Sequence, residues 1–352
     1  MNRAVANANQ GVKAMTAPPI MIESVKILPF DHSDADYAAG VAVHNAVWPE
    51  YPETVADWKR WAAQRSPQYI YRRFLTHWGD EAGPVVAEGV YMHTFWAYHP
   101  QRFLIDINVR PEYQGRGIGA AMYEFFMAEL APYSPTSIEI QTYASRPQTL
   151  RFLDRLGGYE LKTRMRVSHL DLNQFDPDRF APTVQRVEAG GIVIRPLSAL
   201  LADDPDCRRK LYEMSQSIQP DIPWHAPFSR PTLEEWLKRF DGNAEMRLDE
   251  AYLVAMAGDR YVGVTMLFRS DATDAKLFTG LTGVIREYRR RGIALALKVK
   301  SLSYALTLRT AEGNRPIVAT DNEESNPMFD INIKLGFVPQ PDRLVFVKTL
   351  AA

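Results

Sequence analysis

The stretch Val109-Arg110-Pro111-Glu112-Tyr113-Gln114-Gly115-Arg116-Gly117-Ile118-Gly119 decides how this chain is read. It joins a strand-like apolar run, Phe103–Val109, to a helix-like one that begins near Gly117 and runs to Leu130. Glycines at such a junction let the backbone come close to a ligand. The unpaired N–H groups of the first helical turn then face an anion, and the helix dipole adds positive potential at the same point. A pyrophosphate suits that geometry. Alone, the turn is weak, since glycines also serve tight strand-to-helix packing. A Rossmann site would need the turn in the opening unit of a βαβ fold, and here two other strand-like runs come first. A Walker loop would need Gly-Lys-Ser/Thr, which is absent.

Working outward, the stretch recurs as Val284-Ile-Arg-Glu-Tyr-Arg289-Arg290-Arg291-Gly292-Ile293-Ala294. The flanks recur with it. Pro52-Glu-Thr-Val-Ala-Asp-Trp58 matches Pro231-Thr-Leu-Glu-Glu-Trp236, and Arg155-Leu-Gly157 matches Lys334-Leu-Gly336. Three matches in one order at nearly constant spacing mark the duplication of a whole unit. Each copy reads as β-α-α-β-β-β-α-β-α-β, which predicts an α/β chain (α+β mixed sheet) of two tandem domains, each a mostly antiparallel sheet flanked by helices. Domains are expected at 21–175 and 192–352, joined by a polar, proline-containing linker at 176–191. Residues 1–20, rich in Ala and Asn, are expected to be a disordered leader.

Composition narrows the function. At 352 residues the chain exceeds one ordinary core, and 46% hydrophobic with 24% charged residues is a globular balance. A net charge of -1 speaks against nucleic acid as the partner. No apolar run is long enough to span a bilayer. A single cysteine, Cys207, rules out an intrachain disulfide framework, points to a reducing cytoplasm, and leaves no cysteine-rich metal site. The histidines have no ligand spacing, so no metal is expected.

Both turns fit Q/R-x-x-G-x-G/A, and the second is preceded by Thr282-Gly283-Val284 and followed by Asn322, Asn326-Pro-Met328 and Ile331-Asn332. In these motifs the chain resembles the GNAT superfamily of acyl-CoA-dependent N-acyltransferases, in a tandem arrangement spanning essentially residues 21–350. The resemblance implies an acetyl-CoA (or other acyl-CoA) donor. Its pyrophosphate would be held at Gln114, Gly115, Arg116, Gly117, Ile118 and Gly119 in the first copy. In the second it would lie at Arg289, Arg290, Arg291, Gly292, Ile293 and Ala294. Strand edges at Val109 and Val284, and Asn326, would complete the cofactor contacts.

An attacking amine must be neutral, so a base is expected. Asp106 is the candidate in the first copy, though a solvated strand-face carboxylate reads equally well. Asp321 and Glu323 are the candidates in the second. Where many members of the superfamily place a tyrosine acid, this chain has Leu153 and Asn332; only Asn332 can hydrogen-bond a sulfur. That difference favours the second copy as the catalytic one, although the first has the fuller turn. The acceptor pocket is expected against the segment between the first two helices of each copy, Trp48-Pro-Glu50-Tyr51 and the stretch bearing Asp221, Trp224, His225 and Phe228. Trp224 and Phe228 could equally pack a domain seam. The expected reaction is acylation of a small-molecule primary amine by direct attack on the thioester. The alternatives are acylation of protein amines and a CoA-binding sensor or scaffold without turnover.

Overall fold

The computed structural model describes residues 25–350. The expected leader therefore lies outside the described residues. The first copy runs β1 (Val25–Pro29), α1 (Asp34–Val47), α2 (Val55–Gln64), β2 (Tyr71–Trp78), β3 (Val85–Met92), β4 (Arg102–Val109), α3 (Ile118–Leu130), β5 (Ser137–Tyr143), α4 (Pro147–Leu156) and β6 (Tyr159–Asp171). Helix α5 (Ala181–Ala189) occupies much of the stretch read as a linker.

The second copy opens with β7 (Ile192–Pro196), α6 (Leu197–Asp203), α7 (Cys207–Ile218) and α8 (Leu233–Gly242). Strands β8 (Leu253–Ala257), β9 (Arg260–Thr265), β10 (Leu267–Phe268), β11 (Lys276–Thr279) and β12 (Gly283–Val284) follow. It closes with α9 (Ile293–Ala305), β13 (Ile317–Glu323), α10 (Met328–Leu335), β14 (Val338–Pro339) and β15 (Arg343–Thr349).

Local chemistry explains the matching helix starts. Thr54 caps α2 with Asp57 at the third position, and Thr232 caps α8 with Glu235, each as a reciprocal capping box. In β5 the burial alternates strictly, with Ile138, Ile140 and Thr142 inside, as a strand with one face on a core requires.

Long-range pairing takes a course that no local pattern sets. One eleven-stranded sheet has the order β1-β2-β3-β4-β5-β15-β6-β13-β11-β10, with β14 also on β6. The last strand of the chain thus sits between two strands of the first copy, antiparallel to both: Val345 faces Gln141 of β5 and Thr163 of β6. Reciprocally, the second half of β6 of the first copy pairs with the whole of β13 of the second, Ile317 opposite Asp171 and Glu323 opposite Met165. The two copies are interlocked through exchanged strands. A separate four-stranded sheet, β12-β9-β8-β7, belongs to the second copy.

The stretch leading into the second turn is divided between these two sheets, β11 in one and β12 in the other. The break falls at Gly280, where a Cβ would stand 2.6 Å from Met266 Cγ and from Phe268 Cε2. Only glycine lets the backbone cross so close.

Candidate active site

Strands β4 and β5 are parallel neighbours only at their start, where Arg102, Phe103 and Leu104 face Ser137, Ile138 and Glu139. Beyond Leu104 they splay apart. Backbone groups alternate along a strand, and Arg110 N–H donates to Val86 of β3. The N–H and C=O of Ile107 and Val109 therefore point the other way, into the gap. That gap is a cleft of about 450 Å³ lined by Ile107, Val109, Gly117, Thr149 and Phe152 among others.

The glycine turn closes one end of the cleft. Gly115 and Gly117 have φ of +78° and +85°, values that cost a side chain strain, and no atom lies within 4 Å of where their Cβ atoms would be. Gln114 Nε2 donates to Val109 O at 2.9 Å and Arg116 Nη2 to Glu112 O at 3.0 Å, which holds the turn open in front of α3. Gly119 and Ile118 form the first turn of that helix. The structure thus brings Val109, Gln114, Gly115, Gly117, Ile118 and Gly119 together on one wall, while Arg116 does not line the cleft.

A second cavity, about 750 Å³, lies beside the cleft and shares Trp48, Asp106, Gln141 and Thr142 with it. Three carboxylates line it: Glu53 after α1, Glu88 on β3 and Asp106 on β4. Asn108 holds two of them, its Nδ2 lying 2.7 Å from Glu88 Oε1 and 3.1 Å from Asp106 Oδ2. It is itself oriented by Trp48 Nε1, which donates to Asn108 Oδ1 at 2.7 Å. Arg73 Nη1 donates to Glu88 Oε2 at 3.1 Å, its guanidinium stacked 3.4 Å from the Trp58 ring centroid. His44 Nε2 donates to Tyr51 O at 3.1 Å and lies 3.5 Å from Glu53 Oε1.

Burial pushes all three carboxyls above their ordinary range. For Asp106 the desolvation outweighs the pull of His44, Asn108 and Arg73. For Glu88 it outweighs Arg73, with the Asp106 charge adding to the rise. For Glu53 it outweighs His44 and the Trp58 hydrogen bond. Raised carboxyls beside a shared opening are proton acceptors tuned toward neutral pH. The sequence singled out Asp106 and the Trp48–Tyr51 segment. It passed over His44, Glu53, Arg73, Glu88 and Asn108, which come from five separate places in the chain and share no motif.

The second turn is built alike but furnished differently. Arg289 Nε donates to Val284 O at 2.9 Å and Arg291 Nη2 to Glu287 O at 3.0 Å, the counterparts of Gln114 and Arg116. Arg290, at φ +65°, stands where the first turn has Gly115. Helix α5 packs on this turn: Thr183 Cγ2 and Val187 Cγ2 lie 3.3 and 3.5 Å from where a Cβ on Gly292 would sit. Ile293 and Val284 are buried and Ala294 partly so. Asp221 bridges Arg286 and Arg289, and these hydrogen bonds, Arg286 first, hold its carboxyl down at about 2. The basic cluster is thus largely engaged within the protein.

The other expected residues are dispersed. Asn332 is fully buried on α10, donating from Nδ2 to Asn322 Oδ1 at 2.6 Å. Glu323 accepts from Ser325 N at 2.8 Å, and Asn326 Oδ1 from Met328 N at 3.0 Å; both fix the loop into α10. Asp321 is paired with Arg343, a residue on the wall of the larger cavity. The loop after α7 crosses to the first copy. His225 Nε2 meets Glu139 Oε2 at 2.8 Å, the Trp224 ring lies 6.5 Å from that of Trp96, and Ser229 N, next to Phe228, donates to Trp96 O at 2.8 Å. Trp224 and His225 therefore pack the seam between the copies.

Comparison with known proteins agrees with this geometry. Residues 40–158 match the acetyltransferase (GNAT) family model. A comparison with curated proteins finds no match. Among solved structures, a tandem GNAT protein from the clavulanic acid biosynthesis pathway is similar over 93% of this chain and 99% of its own, with a TM-score of 0.71 at 19% identity. A GCN5-related N-acetyltransferase from Sphaerobacter thermophilus aligns over 92% of this chain and 95% of its own, with a TM-score of 0.62 and 19% identity. A putative acetyltransferase from Pyrococcus horikoshii covers 94% and 92%, with a TM-score of 0.53 and 11% identity. At such identities the likeness is one of fold. Among the described residues no helix is long and apolar enough to cross a membrane.

Proposed function

From a chain that carries a GNAT-family acetyltransferase domain in a tandem GNAT fold, we propose an acyl-CoA-dependent N-acyltransferase whose working site lies in the first copy. The observation that carries this reading is the meeting of two cavities at Asp106, Trp48, Gln141 and Thr142. One cavity has the open glycine turn and the free strand edge that an acyl-CoA donor needs. The other has buried carboxylates for an amine. This differs from the expectation that favoured the second copy, whose turn lies under α5.

An acyl-CoA supplies an activated acyl group in the form of a thioester. The first helical turn of α3 and the backbone at Gly115–Gly119 suit its pyrophosphate. Ile107 offers its N–H and C=O, and Val109 its N–H, to the donor's amide-bearing arm, as an added strand would use them, the Val109 carbonyl being held by Gln114. The amine enters from the larger cavity. Asp106 stands at the junction with its carboxylate raised toward neutral pH, and takes the proton that the amine must lose. Glu53, on the same cavity wall, holds the ammonium form on arrival, Glu88 being already paired with Arg73. A small primary amine is the favoured acceptor, because the cavity is closed in by both copies and lined by aromatic rings.

A CoA-binding protein without turnover is the second reading. It rests on Leu153, which is buried where many superfamily members place an acidic tyrosine. Thiol release from acetyl-CoA across a panel of primary amines tests the first reading. Asp106→Asn should cut kcat/KM by about 100-fold or more, whereas Asn332→Ala should leave it within about 2-fold. Loss of turnover in the Asn332 variant with Asp106→Asn unaffected would transfer the site to the second copy. Tight acetyl-CoA binding with no thiol release from any amine would favour the second reading.

A further inference from the structure

The larger cavity is lined by charge of both signs. Its carboxylates gather at the junction with the cleft. Going outward, Arg73 is neutralised by Glu88. It also donates through Nη2 to the Tyr71 hydroxyl at 2.7 Å, and the Tyr71 ring carries Arg65, whose Cζ lies 3.1 Å from the ring centroid. Arg65 is therefore the outermost member of a chain that leads back to Asp106. Across the seam, α8 of the second copy supplies Arg239, with its Cζ 4.7 Å from the Phe95 centroid. Among the described residues neither Arg65 nor Arg239 makes an ion pair, unlike Arg73 and Arg343 on the same walls.

The two helices that carry these guanidiniums are fixed to each other. Gln64 Nε2 donates to Asn243 Oδ1 at 3.1 Å, and Lys238 Nζ to Arg65 O at 3.3 Å. Of the acids on α8, Glu235 is engaged by Gln68 and by the Thr232 cap, and Asp241 is paired with Arg208. Burial lowers both Arg65 and Arg239 below the ordinary arginine value, outweighing the Tyr71 contact for the first and the nearby Glu235 charge for the second. A guanidinium stacked on a ring still presents its N–H edge to a planar anion.

We propose that the acceptor is a primary amine that also carries a carboxylate, and that Arg65 and Arg239, one from each copy, bind that carboxylate at the far end of the cavity from Asp106. This rests on the acyltransferase reading and adds the substrate class to it. The aromatic side chains of Tyr69, Phe95 and Trp96 between the two ends suit a flat or apolar body. Three carboxylates at the other end disfavour a dianion such as a phosphate monoester. The second copy, whose own turn is covered, thereby keeps a role: it selects the acceptor.

The probes are 4-(aminomethyl)benzoate and 4-(aminomethyl)benzamide, titrated against the full chain with CoA present. The readout is the fluorescence of the cavity tryptophans, with thiol release from acetyl-CoA measured in parallel. The benzoate should bind about 10-fold or more tightly than the benzamide, as a charge-assisted pair requires. Arg239→Gln and Arg65→Gln should each remove most of that preference, with Arg239→Lys keeping part of it. The preference should appear in KM rather than kcat. Equal binding of the two probes, binding of neither, or a preference untouched in both variants would overturn the proposal. Discrimination without any thiol release would leave the carboxylate site standing and sink the acyltransferase reading. Thiol release with equal KM for both probes would do the reverse.

Discussion

Arg343 donates from Nη1 to Gln141 Oε1 at 2.5 Å, joining residues 202 positions apart on neighbouring strands of one sheet. Its other arm holds Asp321. The last strand of the second copy thereby forms part of the larger cavity of the first, and the first copy's sheet is completed by the second. Four consequences can be measured.

The interlock should make unfolding cooperative across the whole chain. Val345 is buried at the centre of β15 with partners on both sides. Proline there removes a ladder hydrogen bond, which a strand paired on both sides does not tolerate. Val345→Pro should lower Tm in a single transition and expose both copies to protease. Two transitions, with only one shifted, would contradict the interlock.

Asp106 should show opposite effects on activity and stability. Its carboxyl is raised by burial, so the folded chain holds the proton more tightly than the unfolded one. The charged form is therefore a cost to folding at neutral pH, and that cost disappears below about pH 4, where both states are protonated. Asp106→Asn should raise Tm at pH 7, with no gain near pH 3, while turnover falls. In the wild type, the acid limb of the kcat/KM profile should lie above about 4, the ordinary carboxylate value. A limb at or below that value would remove Asp106 as the base.

Asp221 titrates in the other direction. Held at about 2 by Arg286 and Arg289, it stabilises the fold above its unfolded value of about 4. That contribution fades as pH falls from about 4 through about 2. Asp221→Asn should lower Tm at pH 7, and the deficit should shrink as pH falls from about 4 toward about 2. Because α5 covers the adjoining turn, freeing the two arginines should leave acetyl-CoA affinity unchanged, as read by calorimetry. A rise in affinity would mean that the second turn is open to the ligand.

The two turns should respond unequally to changes at their left-handed positions. Gly117→Ala should cost about 1–2 kcal/mol of local strain and weaken acetyl-CoA binding. Arg290, already at φ +65°, should lose strain as Arg290→Gly, raising stability by up to about 1 kcal/mol with turnover unaltered. Equal loss of acetyl-CoA binding in both variants would argue for two working turns.

Both turns, the duplication and the order of elements in the first copy were legible in the sequence, because they are local, whereas helices α5 and α6 were not anticipated. Gly117 and Gly292 mark left-handed positions, Thr54 and Thr232 mark capped helix starts, and alternation marks β5. These signals act over a few residues, where backbone sterics and hydrogen-bond geometry decide. Asp106 and Val109 could be placed on the strand before the turn for the same reason.

The tertiary structure alone decided which strands are neighbours and what surrounds each turn. No local pattern distinguishes β15 beside β5 from β15 within its own copy, since an alternating strand satisfies its ladder equally well in either place. Nor could the sequence show α5 lying on Gly292 while Gly117 stays open. The carboxylates of Glu53, Glu88 and Asp106, and the arginines from both copies, converge only after the sheets have formed. Their pKa shifts follow from desolvation, which exists only once distant segments exclude water. Sequence wrote two similar turns; packing made them different.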